Sequence, residues 1–398
     1  MKKILITFTL ILFAMQSMAQ LQRVAPQEVG MSSEKLKNAD KIILESIERK
    51  EIPGAVLAVV RNGKMAYIKA YGNKQVYPNV VPMTENTVFD MASVSKSMST
   101  AVCAMILIER GQLRLQDNVS LHIPGFKGWE DENGRKTDIK VVDILTHTSG
   151  LPSYANADTM KMLYGAPNAD GLIEHISSCK RDFAPKARFQ YSCLNFITLQ
   201  RIIEKVSGEN LRDFAKKNIF DVLDMKHTDY NPTGETLSLC APTQRQPDGS
   251  VILGKVHDPL ARIMNDGISG NAGVFSSADD IAIIAAALIN DGKSVLNGKS
   301  ILSPLTVKLM RTVPESVKRF GRTLGWDIYS PYASNNGDIF GLNTYGHTGY
   351  TGTSLIIDPD TKTAVILLAN RVHPEDKGSV VRLRVLVANA VAGAITDL

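Results

Sequence analysis

Apolar and polar positions follow two rhythms along the chain. A helix-period stretch over residues 33–50 precedes "GAVLAVVRNGKMAYIKAYG", two β-rich runs separated by Asn62-Gly63, a dipeptide suited to a tight hairpin. Near the other end, "TGTSLIIDPDTKTAVILLAN" repeats the arrangement, turning at Asp358-Pro359-Asp360, and a last helical pattern follows near 377–395. From about residue 120 to about 270 the rhythm is helical, as in "NFITLQRIIEKVSG" and "LRDFAKKNIFDVLDM", broken by loops rich in Pro, Gly, Asn and Asp. Strands at both ends of a helical middle predict an α+β fold: one antiparallel sheet built from both chain termini and flanked by helices, with an inserted helical lobe. A cleft between sheet and lobe is then the natural place for a site.

The first twenty residues read differently. "MKKILITFTLILFAMQSMAQ" has two lysines, an apolar run from Ile4 to Met15 and small residues at Ser17 and Ala19, the pattern of a secretory leader. The run is short for a membrane span. The expectation is a signal peptide over 1–19, export to the periplasm and no stable span once it is removed; an uncleaved anchor is the alternative. Residues 20–398 exceed what one core usually holds, and are expected to form a sheet lobe, about 20–120 and 271–398, and a helical lobe, about 121–270.

Composition narrows the chemistry. The formal net charge of +5, less Lys2 and Lys3 of the leader, leaves +3, spread without basic runs and so without a nucleic-acid footprint. Four cysteines, Cys103, Cys179, Cys193 and Cys240, permit up to two disulfides, although Cys103 in "AVCAMILIE" reads as a buried thiol. No Cys-x-x-Cys spacing occurs and the seven histidines are scattered, so neither a metal site nor a cofactor is expected.

Candidate chemistry centres on "DMASVSKSMST", where Ser93 and Lys96 stand three apart. The same Ser-x-x-Lys spacing occurs at Ser32/Lys35 and Ser177/Lys180, so the pattern alone selects nothing. Context does. Ser32 or Ser33 reads as a helix cap, and Ser177/Lys180 lies in polar, turn-like "HISSCKRD". Only Ser93 opens a long apolar helix, "SMSTAVCAMILIERG", which ends at Gly111 and must be buried. A serine on that first turn lies at the positive end of the helix dipole. Lys96 shares its face, and burial is expected to lower its pKa from about 10.4 toward that of a base. For this segment alone, an N-cap serine with a snorkelling lysine is the bland alternative.

Five segments in order, "FDMASVSKSMSTAV", "DILTHTSGLPSY", "ARFQYSCLNFITLQRIIEKVSG", "FDVLDMKHT" and "YGHTGYTGTSLIIDP", resemble the serine β-lactamase and penicillin-binding protein superfamily. The nearest branch is that of class C β-lactamases, D-alanyl-D-alanine carboxypeptidases and family VIII esterases. The resemblance implies an acyl-enzyme on Ser93, with Lys96 as its partner. It places the superfamily's Tyr-x-Asn motif at Tyr191-Ser192-Cys193, which has Phe189 before it and "LQRIIEKVSG" after it. Three literal matches, at Tyr71, Tyr77 and Tyr154, are set aside, Tyr154 because it follows "HTSGLPS", a loop that enters the helical lobe in the superfamily.

Two departures matter. Tyr191 can still shuttle a proton among Ser93, leaving group and acceptor, but Cys193 stands where an amide would bind the substrate's acyl-side carbonyl. The third motif, often Lys-Thr-Gly, is His347-Thr348-Gly349. His347, mostly neutral at pH 7, holds a carboxylate less well than an ammonium, leaving Thr348 and arginines to compensate. The resemblance also implies an oxyanion hole formed by the backbone N–H groups of Ser93 and Tyr350. Cys193, His347, Thr348, Gly349 and Trp326 are the expected substrate-contacting residues, with core packing the alternative for Trp326.

His147 in "LTHTSGLP" admits a Ser-His-Asp triad, but Lys96 and Tyr191 already supply base and acid. His257 and Asp258 are expected to hydrogen-bond structurally, with pocket contact as the alternative. Because both departures fall where an amide and a carboxylate are read, an ester loses less than a β-lactam does. The expectation is an exported serine hydrolase for ester-type small acyl substrates. Acyl transfer to a hydroxyl, carboxypeptidase or β-lactamase action on cell-wall peptide or penicillin, and a non-catalytic penicillin sensor are the alternatives.

Overall fold

The computed structural model describes residues 20–330 and 333–398; the signal-peptide reading of 1–19 lies outside the described residues. Helix α1 (Ser33–Glu48) is capped by Ser32, whose Oγ accepts the Lys35 N–H at 3.2 Å. The first Ser-x-x-Lys copy is therefore a helix cap. Strands β1 (Gly54–Arg61) and β2 (Lys64–Gln75) form the expected hairpin, with Asn62 and Gly63 both at positive φ, 53° and 74°. That double left-handed turn is what the Asn-Gly pair supplies. Strands β3 (Val81–Pro82) and β4 (Val88–Asp90) lead to a helix that starts with wide turns over Lys96–Ala101 and continues as α2 (Val102–Glu109). The chain returns through α3 (Cys193–Ser207), β5 (Asp229–Tyr230), β6 (Val274–Ser277) and α4 (Ala278–Ile289). It closes with β7 (Tyr345–Thr348), β8 (Ser354–Asp358), β9 (Thr363–Ala369) and α5 (Val381–Ala392).

The main sheet is antiparallel in the order β3-β2-β1-β9-β8-β7, so strands from the two ends of the chain pair at its centre, with Ala58 opposite Ile366. Both faces are covered. Ala55, Leu57 and Val59 pack with Leu36, Ile43, Val387 and Val391 of α1 and α5. Val56, Ala58 and Val60 face Met98, Val102 and Ile281 on the other side. Burial on both sides explains why "GAVLAVV" is continuously apolar rather than alternating. A second sheet, β4-β6-β5, joins the segment just before Ser93 to the middle of the chain. All four cysteines are free thiols, so neither permitted disulfide forms. Among the described residues no helix is long and apolar enough to cross a membrane.

Candidate active site

The polar residues of "SVSKSMST" look misplaced on a buried helix until their partners are traced. Ser95 Oγ accepts the Val274 N–H at 3.1 Å, Ser97 Oγ donates to the Gly325 carbonyl at 2.6 Å, and Thr100 Oγ1 donates to that of Gly270 at 2.8 Å. Ser99 Oγ pairs with the Tyr230 hydroxyl at 3.0 Å. Each hydroxyl is satisfied, and each pins a neighbouring loop to the helix. Ser93 is left for chemistry: its Oγ accepts from Lys96 Nζ at 2.9 Å. Lys96, fully buried, also donates to the Asn271 carbonyl at 2.7 Å and to Cys193 Sγ at 3.6 Å.

Tyr191 completes the group. Its ring centroid is 5.1 Å from Lys96 Nζ; burial pushes its pKa up and prevails over the Lys96 charge and the hydrogen bonds to Ser93 and Lys96, which draw it down. The expectation for Lys96 is corrected. Burial lowers its pKa, the coupling to Cys193 and Tyr191 raises it, and the net direction is up. Burial alone therefore does not set the proton affinity of Lys96, which is shared with Tyr191 and Cys193.

The opposite wall is the end of edge strand β7. A loop carrying Asp327 covers β7 as far as Gly346, with backbone bonds of 2.8 and 2.9 Å, and leaves the edge open from Thr348 onward. His347 is buried. Burial, reinforced by the Arg322 and Lys96 cations, holds its pKa well below the usual range. Nδ1 lies 2.9 Å from the Thr348 carbonyl and Nε2 lies 3.5 Å from Arg322 Nη2, which fits a neutral ring that donates from Nδ1 and accepts at Nε2.

Past Thr348 the wall is stitched to the Ser93 segment. Thr351 Oγ1 donates to the Asp90 carbonyl at 2.7 Å, and Thr353 Oγ1 to that of Met91 at 3.0 Å. A Cβ at Gly349 would lie 2.1 Å from Thr353 Oγ1 and 2.6 Å from the Met91 carbonyl oxygen, so only glycine fits between the two walls. Asp90 in turn accepts the N–H of Ala92 at 2.8 Å and that of His257 at 2.6 Å. The first of these bonds supports Ala92 at φ 46°, an unfavourable angle for alanine immediately before the nucleophile. Ser93, Tyr191, His347, Thr348, Gly349 and Tyr350 all line one cleft of about 640 Å³.

The sequence pattern that defines the Beta-lactamase family matches residues 39–390. The chain belongs to the beta-lactamase family. Within it, an N-acetylmuramyl-L-alanine amidase of Bacillus subtilis (strain 168) is 32% identical over 377 residues, covering 86% of this chain and 82% of the relative. A provisional D-alanyl-D-alanine carboxypeptidase of Salmonella gallinarum is 30% identical over 417 residues, covering 98% and 95%. Among solved structures, EstCE1, described as a hydrolase with promiscuous acyltransferase activity, superposes with a TM-score of 0.72 at 22% identity, over 90% of this chain and 99% of that one. The protein is a serine hydrolase of this family.

Against this beta-lactamase frame, some site expectations change. Trp326 does not line the cleft: it is fully buried and packs edge-on against Tyr345 at 5.2 Å, because its loop turns the large ring behind β7 into the core. His147 is no triad base. Its Nδ1 accepts the Ser192 N–H at 3.1 Å and its ring lies 4.5 Å from that of Tyr191, tilted by 33°, so it braces the phenol. Asp258 caps a short helix through Ala261 N–H at 2.8 Å and accepts from Tyr154 at 3.2 Å, while Asn156 caps another. The literal Tyr-x-Asn match is thus scaffolding.

Three arginines escaped the sequence reading. Arg322, Arg371 and Arg384 line the cleft. Arg322 pairs with Asp327 at 2.9 Å and Arg371 with Asp376 at 2.9 Å. Arg384, 8% exposed, has no carboxylate partner among the described residues, and burial and Arg371 make its charge costly. In sequence these arginines carry no motif; only the fold brings them together.

Proposed function

We infer that this beta-lactamase-family protein is an exported acyl hydrolase in which Ser93 attacks ester-type or related small acyl donors that carry an anionic group, with water releasing the acyl group. The observation that carries the reading is a pair of uncommitted backbone donors. Among the described residues neither the Ser93 N–H nor the Tyr350 N–H has an acceptor in the chain, and both residues line the cleft. Both N–H groups are thus free to meet an acceptor that enters the cleft. A tetrahedral oxyanion supplies it.

In the chemical step Ser93 Oγ bonds to the carbonyl carbon while its proton passes to the Lys96–Tyr191 pair. Tyr191 returns a proton to the leaving group as that bond breaks. Water then repeats the sequence on the acyl-enzyme. Lys96, donating to Ser93 Oγ at 2.9 Å, steadies the developing negative charge. Cys193 in place of an amide supports an ester over a β-lactam, and Arg384, which lines the same cleft without a carboxylate partner among the described residues, supports an anionic substituent. Export rests on the leader pattern of residues 1–19. Cell-wall peptide is the second reading, favoured by the names of the two relatives. Transfer to an alcohol uses the same intermediate.

Intact-protein mass spectrometry and p-nitrophenol release test this with p-nitrophenyl acetate, the carboxylate-bearing p-nitrophenyl hemisuccinate and a penicillin. Both esters are expected to acylate the wild type and not Ser93→Ala, with kcat/KM about 10-fold higher for the anionic ester, the worth of one charge-assisted contact. Equal rates for the two esters remove the anionic preference. Stable penicillin acylation moves the reading to the carboxypeptidase branch, and reaction unchanged in Ser93→Ala removes the nucleophile.

A further inference from the structure

We propose that Arg371 is a positioning residue for the oxyanion hole, holding Tyr350 so that its N–H meets the developing oxyanion; the inference rests on the reading of Ser93 and Tyr350 given above. Tyr350 is 58% exposed, yet it is held at several points. Its carbonyl accepts two bonds from Arg371, from Nε at 3.0 Å and Nη2 at 2.8 Å. Its hydroxyl donates to Asp376 Oδ2 at 2.7 Å, and Arg371 Nη1 donates to the other oxygen of that carboxylate at 2.9 Å. The guanidinium lies 4.6 Å from the ring centroid, and the His257 ring stacks on the same tyrosine at 5.8 Å and 20°.

An exposed side chain gains little by burial and loses rotamer entropy when fixed. A clamp this complete is better explained by what it does to the backbone. The N–H of Tyr350 belongs to the same planar peptide as the Gly349 carbonyl, and that carbonyl accepts from Arg384 Nη2 at 2.7 Å. Arg384 Nη2 also holds the Thr353 carbonyl, at 2.8 Å, across the turn. Arg384 therefore fixes the inner peptide and Arg371 the outer one, on the solvent side. The fork of a guanidinium makes two bonds to one oxygen with a fixed direction; an ammonium at the end of a flexible stem does not.

Arg371 also lines the cleft, so direct contact with substrate is the rival role. The two separate in kinetics. With p-nitrophenyl acetate, Arg371→Ala is expected to lower kcat about 10- to 100-fold with KM within about twofold, the signature of a misaimed transition-state donor. The affinity of phenylboronic acid, which forms a tetrahedral adduct on the serine, falls by a matching factor. Arg371→Lys recovers little of either, and decides the matter if the alanine variant fails to fold. Tyr350→Phe, which removes only the bond to Asp376, costs less than about fivefold. A raised KM with kcat intact assigns Arg371 to substrate binding and overturns the proposal, as does unchanged kcat in both arginine variants. Activity of the wild type that survives Ser93→Ala overturns the underlying reading instead.

Discussion

At the scale of single residues, the decisive fact is that Lys96 and Tyr191 both hold their protons more tightly than they would in water. Burial raises Tyr191; at Lys96 burial works the other way and is outweighed by Cys193 and Tyr191. Activation of Ser93 needs the pair to have lost one proton. Because both pKa values move up, that form is scarce at neutral pH and grows as pH rises. The expected profile of kcat/KM, measured by p-nitrophenol release and corrected for spontaneous hydrolysis, climbs about tenfold per unit from pH 7 toward 9. His347 adds no limb near pH 6.5, since its burial beside Arg322 and Lys96 keeps it neutral well below that range. A profile flat between pH 7 and 9 would show that the pair does not govern attack.

At the scale of elements, the site is a seam between the end of β4 and the end of β7, and Asp90 is its fastening. Burial pushes the Asp90 carboxyl up to about 6, although the His257 and Ala92 N–H bonds favour its ionised form. The sign follows from linkage. A carboxyl whose folded pKa lies above its unfolded value binds more protons in the folded state, so its contribution to stability is full below about pH 4 and is lost as pH rises from there through about 6. Relative to Asp90→Asn, the wild type is therefore expected to lose about 2 kcal/mol between pH 4 and 7. Urea titrations of both proteins across that range measure the difference, and a constant offset between them refutes the shift. Much of this seam was legible in sequence. Ser93 and Lys96 share one helical turn, so local spacing found them, and Tyr191 was found by its flanks despite Cys193. Trp326 was misplaced because ring size does not say which side of a strand a loop turns toward. Asn271, Arg322, Arg371 and Arg384 were missed because each reaches the site by a long-range contact that leaves no local pattern.

At the scale of the molecule, the sheet that presents β7 depends on pairing strands from the two ends of the chain, and Arg61 locks that junction. At the end of β1 and 4% exposed, it donates to the Val29 carbonyl at 2.5 Å and the Gly30 carbonyl at 2.7 Å. It also reaches Asp397, the side chain at 2.5 Å and the carbonyl at 2.9 Å. The two partners are unequal. The Asp397 side chain is 63% exposed, so its charge is screened by water and its share is small. The backbone carbonyls are tied to a buried guanidinium and lose most when it goes. Arg61→Met is expected to cost about 2–4 kcal/mol in urea unfolding, and Asp397→Asn less than about 1 kcal/mol. The site lies at the far edge of the sheet, separated from β1 by β9 and β8. Ester turnover per folded molecule should therefore stay within about twofold of wild type in both variants, since interactions this far apart act independently. Equal losses of stability would mean that the ion pair, not the carbonyl clamp, closes the chain. A fall in turnover parallel to stability would mean that the junction and the catalytic edge move together.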